Sequence, residues 1–281
     1  MPSEDRSETS PLVAVLHELR TTRSNWHVAI GQPTETGWIT GTDLMTAREG
    51  PFHALLSRIG ARLRTSDRRT IAASFALRYA WSSGVAIAPY ILRHCVPKIF
   101  LDNISFKFHE NTAFERVALH QPAGVMLRQE GTRPHPLIEL LPSQDELTAW
   151  LRTSLTQQAQ PIVEALYEWS GFSVRGTWGM ITSSWGSQFM NICEEIEEQK
   201  VGLPYALNFF EGNDLVSQMK PDFYPVTYKN VTHIYHRRSS CCRYYKLPHG
   251  QYCASCPLVS QEERIQRNRD WMQYLLERQR P

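Results

Sequence analysis

The sequence predicts an α+β protein with a mainly helical body, an antiparallel β meander and a cysteine-rich C-terminal segment. Three observations carry this prediction. Apolar residues recur at helical spacing over most of the chain, alternation replaces that spacing at residues 104–108 and two further short strand-like runs follow by residue 127, and four cysteines fall between residues 241 and 256. Helices and strands that occupy separate stretches of a chain are typical of the α+β class.

The first hundred residues read as helices separated by polar turns. Apolar spacing from Leu12 to Leu19 predicts a first helix, and Pro51 suits the first turn of a second helix that runs to Leu63. A longer helix is expected from Thr65 or Ser66, with an inward stripe formed by Ile71, Phe75, Leu77, Tyr79 and Trp81. We expect Gly84 to interrupt it and a further apolar helix to reach Cys95, ahead of Pro97.

Three strands are predicted after Pro97. Residues 104–108 alternate between apolar and polar side chains, and residues 114–119 and 125–127 follow with short polar turns between them. Strands joined by short turns normally pair antiparallel. The sequence therefore predicts a three-stranded meander with helices covering one face.

Helical spacing returns after this meander. Ser143 with Glu146 three residues later is a capping-box pattern, and a second helical segment is expected from about Pro161 to Trp169. The stretch 173–199 then carries an inward stripe of large side chains, Trp178, Ile181, Trp185, Phe189 and Ile192. Its glycines lower helix propensity, so we expect close packing against another element at Gly176, Gly179 and Gly186.

The C-terminal region predicts two strands, the cysteine segment and a closing helix. Residues 221–235 contain two alternating runs, and Ser260 with Glu263 forms another capping box for a helix to about Arg278. Its expected inward face is Ile265, Met272, Leu275 and Leu276, which would pack back and hold the cysteine segment in place. We divide the chain by role into a body, residues 1–220, that supplies the scaffold and part of the substrate surface, and a metal-binding segment, residues 221–281.

Charge and hydropathy exclude several classes of function. The formal net charge of +2 and the lack of a basic run argue against nucleic-acid binding. The N-terminus lacks the apolar core of a secretory signal, and no apolar run approaches the roughly 18 residues of a membrane-spanning helix. We therefore expect a cytoplasmic protein without a transmembrane span, and peripheral association with the inner face of the membrane stays open.

The cysteines between Arg237 and Leu258 follow the pattern C-C-x10-C-x2-C. A disulfide pair, a structural zinc site and an iron–sulfur cluster are the alternatives. Cytosolic thiols stay reduced, which disfavours disulfides. Zinc sites usually use two spaced cysteine pairs, whereas Cys241 and Cys242 are adjacent and would face one ion only across a sharp turn. An iron–sulfur cluster tolerates more varied ligand directions, and Cys95 and Cys193 are expected to be core residues.

This spacing, with Arg-Arg-Ser-Ser before it and Arg-Tyr-Tyr-Lys-Leu-Pro inside it, resembles the C-terminal signature of ferric-siderophore reductases of the FhuF type. Ferredoxins use other spacings. The resemblance implies a [2Fe–2S] cluster on Cys241, Cys242, Cys253 and Cys256, and therefore a C-terminal iron–sulfur segment. It also implies an oxidoreductase of iron uptake, which transfers one electron to Fe(III) held in a siderophore, of hydroxamate type by expectation, and releases Fe(II) in the cytoplasm.

Basic and aromatic residues around the cysteines are candidate contacts for the substrate or the electron donor. They are Arg237, Arg238, Arg243, Tyr244, Tyr245 and Lys246. The same cations also suit neutralisation of the cluster. No dinucleotide-binding or P-loop motif is present, so electrons would come from a ferredoxin, a flavodoxin or reduced flavin. A zinc-stabilised binding protein and an iron–sulfur electron carrier or redox sensor remain the alternatives.

Overall fold

The computed structural model describes residues 10–22, 28–46, 50–110, 114–194 and 199–278. The chain divides into two compact units. Unit 1 comprises Met1–Leu55 and Ser82–Pro161, and unit 2 comprises Leu56–Trp81 and Ile162–Pro281.

Unit 1 combines helices with two small sheets. Its helices are α1 (Pro11–Thr22), α2 (Gly41–Thr46), the first part of α3 (Pro51–Leu63), α5 (Gly84–Arg93) and the first part of α6 (Gln144–Ser170). The apolar stripe of α1 is buried as its spacing predicts, at Leu12, Leu16 and Leu19. The predicted bounds of α3 agree with the structure at both ends.

The first sheet contains the predicted alternation. Its order is β1-β5-β4-β2, from β1 (Val28–Ile30), β2 (Trp38–Thr40), β4 (Ile104–Phe108) and β5 (Phe114–Leu119). Strands β4 and β5 pair antiparallel, with Phe106 opposite Val117 and both side chains buried. Strand β1 adds to the sheet in parallel, next to β5.

The third predicted strand forms but lies in a second sheet. Strand β6 (Gly124–Leu127) pairs antiparallel with β3 (Cys95–Pro97) and parallel with β7 (Ile138–Leu141). Short β3 was expected to be the end of a helix. Helix α5 instead ends at Arg93, because His94 adopts a left-handed conformation with φ of 49° and directs the chain into the sheet.

Helix α6 is one continuous helix of 27 residues, whereas the sequence predicts two segments that separate near Pro161. Its start agrees with the predicted capping box, since the Ser143 hydroxyl accepts the Glu146 N–H at 3.2 Å. Leu155, Ile162 and Val163 are all fully buried. Burial on both sides of Pro161 outweighs the backbone hydrogen bond that a proline cannot make.

Unit 2 is built around α7 (Val174–Glu194). Its other elements are α4 (Arg68–Tyr79), α8 (Gln199–Phe209), α9 (Leu215–Gln218), α10 (Gln261–Arg278), β8 (Asp222–Tyr228) and β9 (Val231–Arg237). The predicted stripe of α7 is buried and forms an aromatic core, with ring centroids 5.8 Å apart for Trp185 and Phe209 and 5.3 Å apart for Phe189 and Phe209.

A β8–β9 hairpin and α10 complete unit 2. Both strands form as the alternation predicts, and they pair antiparallel. The capping box of α10 is present, with the Glu263 N–H donated to the Ser260 hydroxyl at 3.2 Å. Met272 is buried as predicted, but the other buried residues of α10 are Arg264 and Asn268, and Leu275 is 41% exposed.

The α+β fold class is confirmed. Within the described residues, helices predominate over small mixed and antiparallel sheets. The predicted division by role at residue 220 stays a prediction. None of the helices in the described part of the chain is both long and apolar enough to cross a bilayer.

Candidate metal centre

The chain reaches the first cysteine pair across the face of α7. The Ser239 hydroxyl donates to the Met219 carbonyl at 2.5 Å, and the Ser240 hydroxyl donates to the Gly176 carbonyl at 2.7 Å. A Cβ atom at Gly179 would lie 2.6 Å from the Ser240 hydroxyl oxygen. Only glycine therefore allows this approach, and the close packing expected of the α7 glycines is confirmed here.

One backbone turn follows the first cysteine pair, and another is formed by the second pair itself. Arg243 has a φ of 60°, and its N–H donates to the Cys241 sulfur at 3.3 Å. The second pair forms a tight turn in which the Cys256 N–H donates to the Cys253 carbonyl at 3.0 Å. The two pairs are joined by the Arg238 N–H, which donates to the Ser255 carbonyl at 2.9 Å. The four cysteines therefore lie on two backbone turns that this hydrogen bond connects.

The ten-residue segment between Cys242 and Cys253, which we call the intercysteine loop, is closed by its own backbone. The Leu247 N–H donates to the Tyr244 carbonyl at 3.1 Å, and the Gly250 N–H donates to the Leu247 carbonyl at 2.9 Å. A Cβ atom on Gly250 would lie 1.8 Å from the Tyr244 carbonyl oxygen. Glycine is therefore required for the loop to close.

The four thiols interact with one another. Cys256 is 2% exposed, and Cys241, Cys242 and Cys253 are half-buried. A hydrogen bond between Cys242 and Cys253 raises the pKa of the Cys242 thiol and lowers the pKa of the Cys253 thiol. Burial raises the pKa of the Cys256 thiol, and the charges of Cys241 and Cys242 raise it further. The positive charge of Arg238 lowers the pKa of both Cys242 and Cys253 and so favours their thiolate forms.

Helix α10 places a buried cation against the second cysteine pair. Arg264 is 5% exposed, and its Nη1 donates to the Cys256 carbonyl at 3.1 Å and also to the Val259 carbonyl. Its Nε is buried without a hydrogen-bond partner, and no carboxylate pairs with it in the described ranges. The Tyr224 phenol also hydrogen-bonds to Arg264, and the charge of Arg264 helps to lower the pKa of Glu262. The predicted packing of the closing helix against the cysteine segment is confirmed.

The structure separates the six predicted contact residues into paired and unpaired side chains. Arg237 is paired with Asp222 at 2.8 Å, and Arg243 is paired with Asp67 at 2.9 Å. The charge of Arg238 acts on the pKa of the Cys242 and Cys253 thiols. Tyr245 stacks on Tyr252 with ring centroids 4.8 Å apart, while Tyr244 is 45% exposed and Lys246 is also exposed.

Asp67 is the residue at this site that sequence reasoning missed as a partner. It caps α4, where its carboxylate accepts the Arg69 N–H at 3.1 Å, and the same carboxylate binds Arg243. Desolvation raises its pKa, but hydrogen bonds from Thr70 and Arg243 outweigh that and hold the pKa below its ordinary value. The sequence predicts the start of this helix at Thr65 or Ser66, so the cap lies one or two residues later than expected, and no spacing in the sequence indicated a partner 176 positions away.

A neutral histidine lies on the strand that leads to the cysteines. His236 packs near Phe223, with ring centroids 6.4 Å apart, and its Nε2 is 3.5 Å from the Ser187 hydroxyl. Desolvation and then the charge of Arg238 lower the pKa of His236 to about 3. This ring is therefore uncharged at neutral pH.

The other two cysteines, Cys95 and Cys193, lie outside the cysteine segment. Cys95 is fully buried in β3, and burial raises the pKa of its thiol to about 12, so the prediction of a core residue is confirmed. Cys193 lies in α7, but its side chain is outside the described residues.

The donor set fits a two-iron cluster. Four cysteines lie on two joined turns, backbone N–H groups already point at the Cys241 and Cys256 sulfurs, and cations face them. In the part of the chain that the structure describes, no three His, Cys, Asp or Glu side chains are arranged to hold a metal ion. A [2Fe–2S] cluster differs from a single ion in drawing two ligands to each of its two irons.

Residues 238–258 match the family model described as the FhuF 2Fe-2S C-terminal domain. The chain therefore carries an FhuF-type [2Fe–2S] domain. The match covers both cysteine pairs and the intercysteine loop, and it confirms the resemblance and the cofactor that the sequence predicts. No curated protein matches the chain significantly. The FhuF-type domain indicates a redox role.

Proposed function

We propose that this protein is a ferric-siderophore reductase in which Cys241, Cys242, Cys253 and Cys256 hold the [2Fe–2S] cluster. The match of the cysteine segment to the FhuF 2Fe-2S domain is the observation that carries the proposal. Three of the four cysteines are only half-buried, which supports electron exchange with a substrate at the surface.

The surrounding residues support a cluster that accepts electrons. Four thiolates on two ferric irons with two sulfides give a formal charge of about −2, which becomes about −3 on reduction. Buried Arg264 beside Cys256 and half-buried Arg238 offset that charge. Two backbone N–H groups donate to cysteine sulfurs and stabilise negative charge there. Compared with a site that lacked these groups, they stabilise the more negative, reduced form of the cluster.

When bound, the cluster supplies one electron to Fe(III) held in the siderophore and regains one from an external donor. Ferrous iron is bound far more weakly than ferric iron by hydroxamate oxygens, so the iron is released without cleavage of the chelator. The chain has to bind the chelate next to the cysteine segment and keep the thiolates in place. We propose a hydroxamate-type siderophore as substrate and a ferredoxin, flavodoxin or reduced flavin as donor, with the reaction in the cytoplasm, where thiols stay reduced.

Stopped-flow absorbance tests the proposal. The protein, loaded with its cluster and reduced with stoichiometric dithionite under anaerobic conditions, is mixed with ferric desferrioxamine B, while an Fe(II)-specific chelator records iron release. We expect the cluster to be reoxidised as Fe(II) appears, one electron for each iron. The Ga(III) complex of the same chelator is the control, because Ga(III) cannot accept an electron.

Two results would contradict the reductase function. One is reoxidation no faster with the ferric chelate than with the Ga(III) control. The other is reoxidation without Fe(II), which would favour an electron carrier or sensor. Zinc in place of iron in anaerobically purified protein would remove the basis of the proposal.

A further inference from the structure

A cleft of about 560 Å³ adjoins the intercysteine loop in unit 2. One wall is the end of α3 and the residue after it, from Arg62 to Arg64. The other wall belongs to the loop, and its residues are Tyr244, Leu247, Pro248 and His249. None of these side chains is acidic. We call this space the basic cleft.

The arginines of the basic cleft differ from those predicted as contacts. Arg237 and Arg243 already face carboxylates, at Asp222 and Asp67. Arg62 and Arg64 are exposed, and within the described residues neither forms an ion pair with a carboxylate. Their charges are therefore available to a ligand.

The position of these arginines is fixed by the end of α3. The Arg64 N–H donates to the Ala61 carbonyl and the Thr65 N–H to the Gly60 carbonyl, both at 3.1 Å. Arg64 itself adopts a φ of 51°, a conformation that ends the helix. The two cations are thus held on one side of the cleft by ordered backbone.

The loop wall connects the basic cleft to the metal centre. Tyr244 is two residues from Cys242, so their Cα atoms are at most about 7 Å apart by covalent geometry. The loop is closed at Gly250 and is tied to α4 through Arg243 and Asp67. A ligand in the cleft would therefore contact the same rigid segment that joins the two cysteine pairs.

We propose that the basic cleft binds the ferric chelate and selects chelates of net negative charge; this inference rests on the proposed reductase function and deepens it. The volume lies in the roughly 300–1,000 Å³ range of small-molecule sites. Tyr244, Leu247 and Pro248 offer apolar contact to a chelator backbone, and the arginines attract anionic groups. Three hydroxamates neutralise Fe(III), so the favoured hydroxamate chelates carry additional carboxylates. A concave space of this size suits a chelate better than an acidic donor protein, whose interface covers about 800 Å² on each partner.

Two Ga(III) complexes with the same trihydroxamate core provide the test. Ga(III) desferrioxamine B carries one positive charge on its amine, and its N-succinyl derivative carries one negative charge. Affinities for the cluster-loaded protein are measured by calorimetry at low salt. We expect the anionic complex to bind about tenfold more tightly, since each exposed cation contributes modestly, and we expect the preference to fall as salt rises.

The matched variants are Arg62→Gln with Arg64→Gln, and, as a control that also removes two exposed cations but outside the cleft, Arg269→Gln with Arg278→Gln. The double variant should reduce the preference to about twofold, with unchanged visible absorption, and the control should keep it. Equal affinity for both complexes, a preference that survives the double variant, or an equal loss in the control would overturn the inference. A double variant that binds the chelates unchanged but whose cluster is reduced more slowly by an acidic ferredoxin would also overturn it. That result would indicate that the electron donor docks at the cleft.

The two proposals fail separately. Binding of Ga(III) complexes involves no electron transfer, so a charge preference without reoxidation by ferric chelates would remove the reductase function alone. Reoxidation and Fe(II) release without any charge preference would remove the selectivity of the basic cleft alone.

Discussion

The ion pair between Asp67 and Arg243, which anchors the intercysteine loop, should control how tightly the cysteines on either side of the loop hold the cluster. Asp67 has two functions, which substitutions can separate. Its carboxylate caps α4, and it accepts two hydrogen bonds from Arg243, from Nη2 at 2.9 Å and from Nε at 3.3 Å. Asp67→Asn keeps a good capping residue and removes the charge, whereas Asp67→Ala removes both.

The structure sets the expected magnitudes. The side chains are 23% exposed at Arg243 and 36% exposed at Asp67, so the pair is partly screened. Two N–H groups on one carboxylate place it near the upper end for such pairs, about 1 kcal/mol. Loss of the cap adds about 1 kcal/mol. If the cluster is lost through local opening, Asp67→Asn should release it about 5-fold faster and Asp67→Ala about 30-fold faster.

The assay is the decay of visible absorption in excess iron chelator at neutral pH. Asp222→Asn is the matched control, because it removes the same charge from the more exposed Arg237 pair and should change the rate by less than about twofold. A double-mutant cycle with Arg243→Gln should give a coupling energy of about 1 kcal/mol. Purely additive effects, or an equal loss in Asp222→Asn, would refute the reasoning.

Three further changes have defined outcomes. Gly250→Ala should lower the iron content of purified protein, since its Cβ would meet the Tyr244 carbonyl. Gly131→Ala is the control for backbone strain alone, because its φ is 79° but nothing lies within 4 Å of the added Cβ, and it should keep the iron; equal iron in both would contradict this. Cys253→Ser should abolish normal cluster assembly and Cys95→Ser should retain it, as measured by iron and sulfide analysis and by EPR of the reduced protein; similar spectra would count against the ligand assignment. For the protonation of His236, the folded pKa of about 3 lies below the unfolded value, so the unfolded state binds more protons between these values. Stability should therefore fall as pH drops from about 6.5 towards 3, by at most about 1.4 kcal/mol per pH unit from this group, and His236→Gln should flatten that slope in denaturant unfolding at pH 7 and pH 5; an unchanged slope would exclude this histidine as its source.

Local patterns in the sequence predicted most of the elements. The capping boxes at Ser143 and Ser260 and the proline at the start of α3 each indicate a helix start from a few neighbouring residues, and all three are confirmed. The predicted separation of two helical segments near Pro161 was wrong for the same reason. A rule based on the proline alone does not include the burial of residues on both sides of it.

The cysteine segment could be identified from spacing, while its environment could not. Asp67, Arg62 and Arg64 reach the intercysteine loop from far earlier in the chain, and apolar periodicity carries no information about such pairings. Arg264 shows a related limit. It occupies the buried face of α10 together with Asn268 and Met272, and a rule that places apolar residues inward identified only Met272 of these three.

The glycine contact beneath Ser240 has a consequence for protein engineering. The 21 residues that match the FhuF 2Fe-2S domain depend on groups outside that stretch, namely the bare backbone of Gly179, the carboxylate of Asp67 and the guanidinium of Arg264. The motif is therefore not a portable module. Transfer of the motif to another protein would also require a glycine on the adjacent helix, a carboxylate to pair with Arg243 and a buried arginine beside the second cysteine pair.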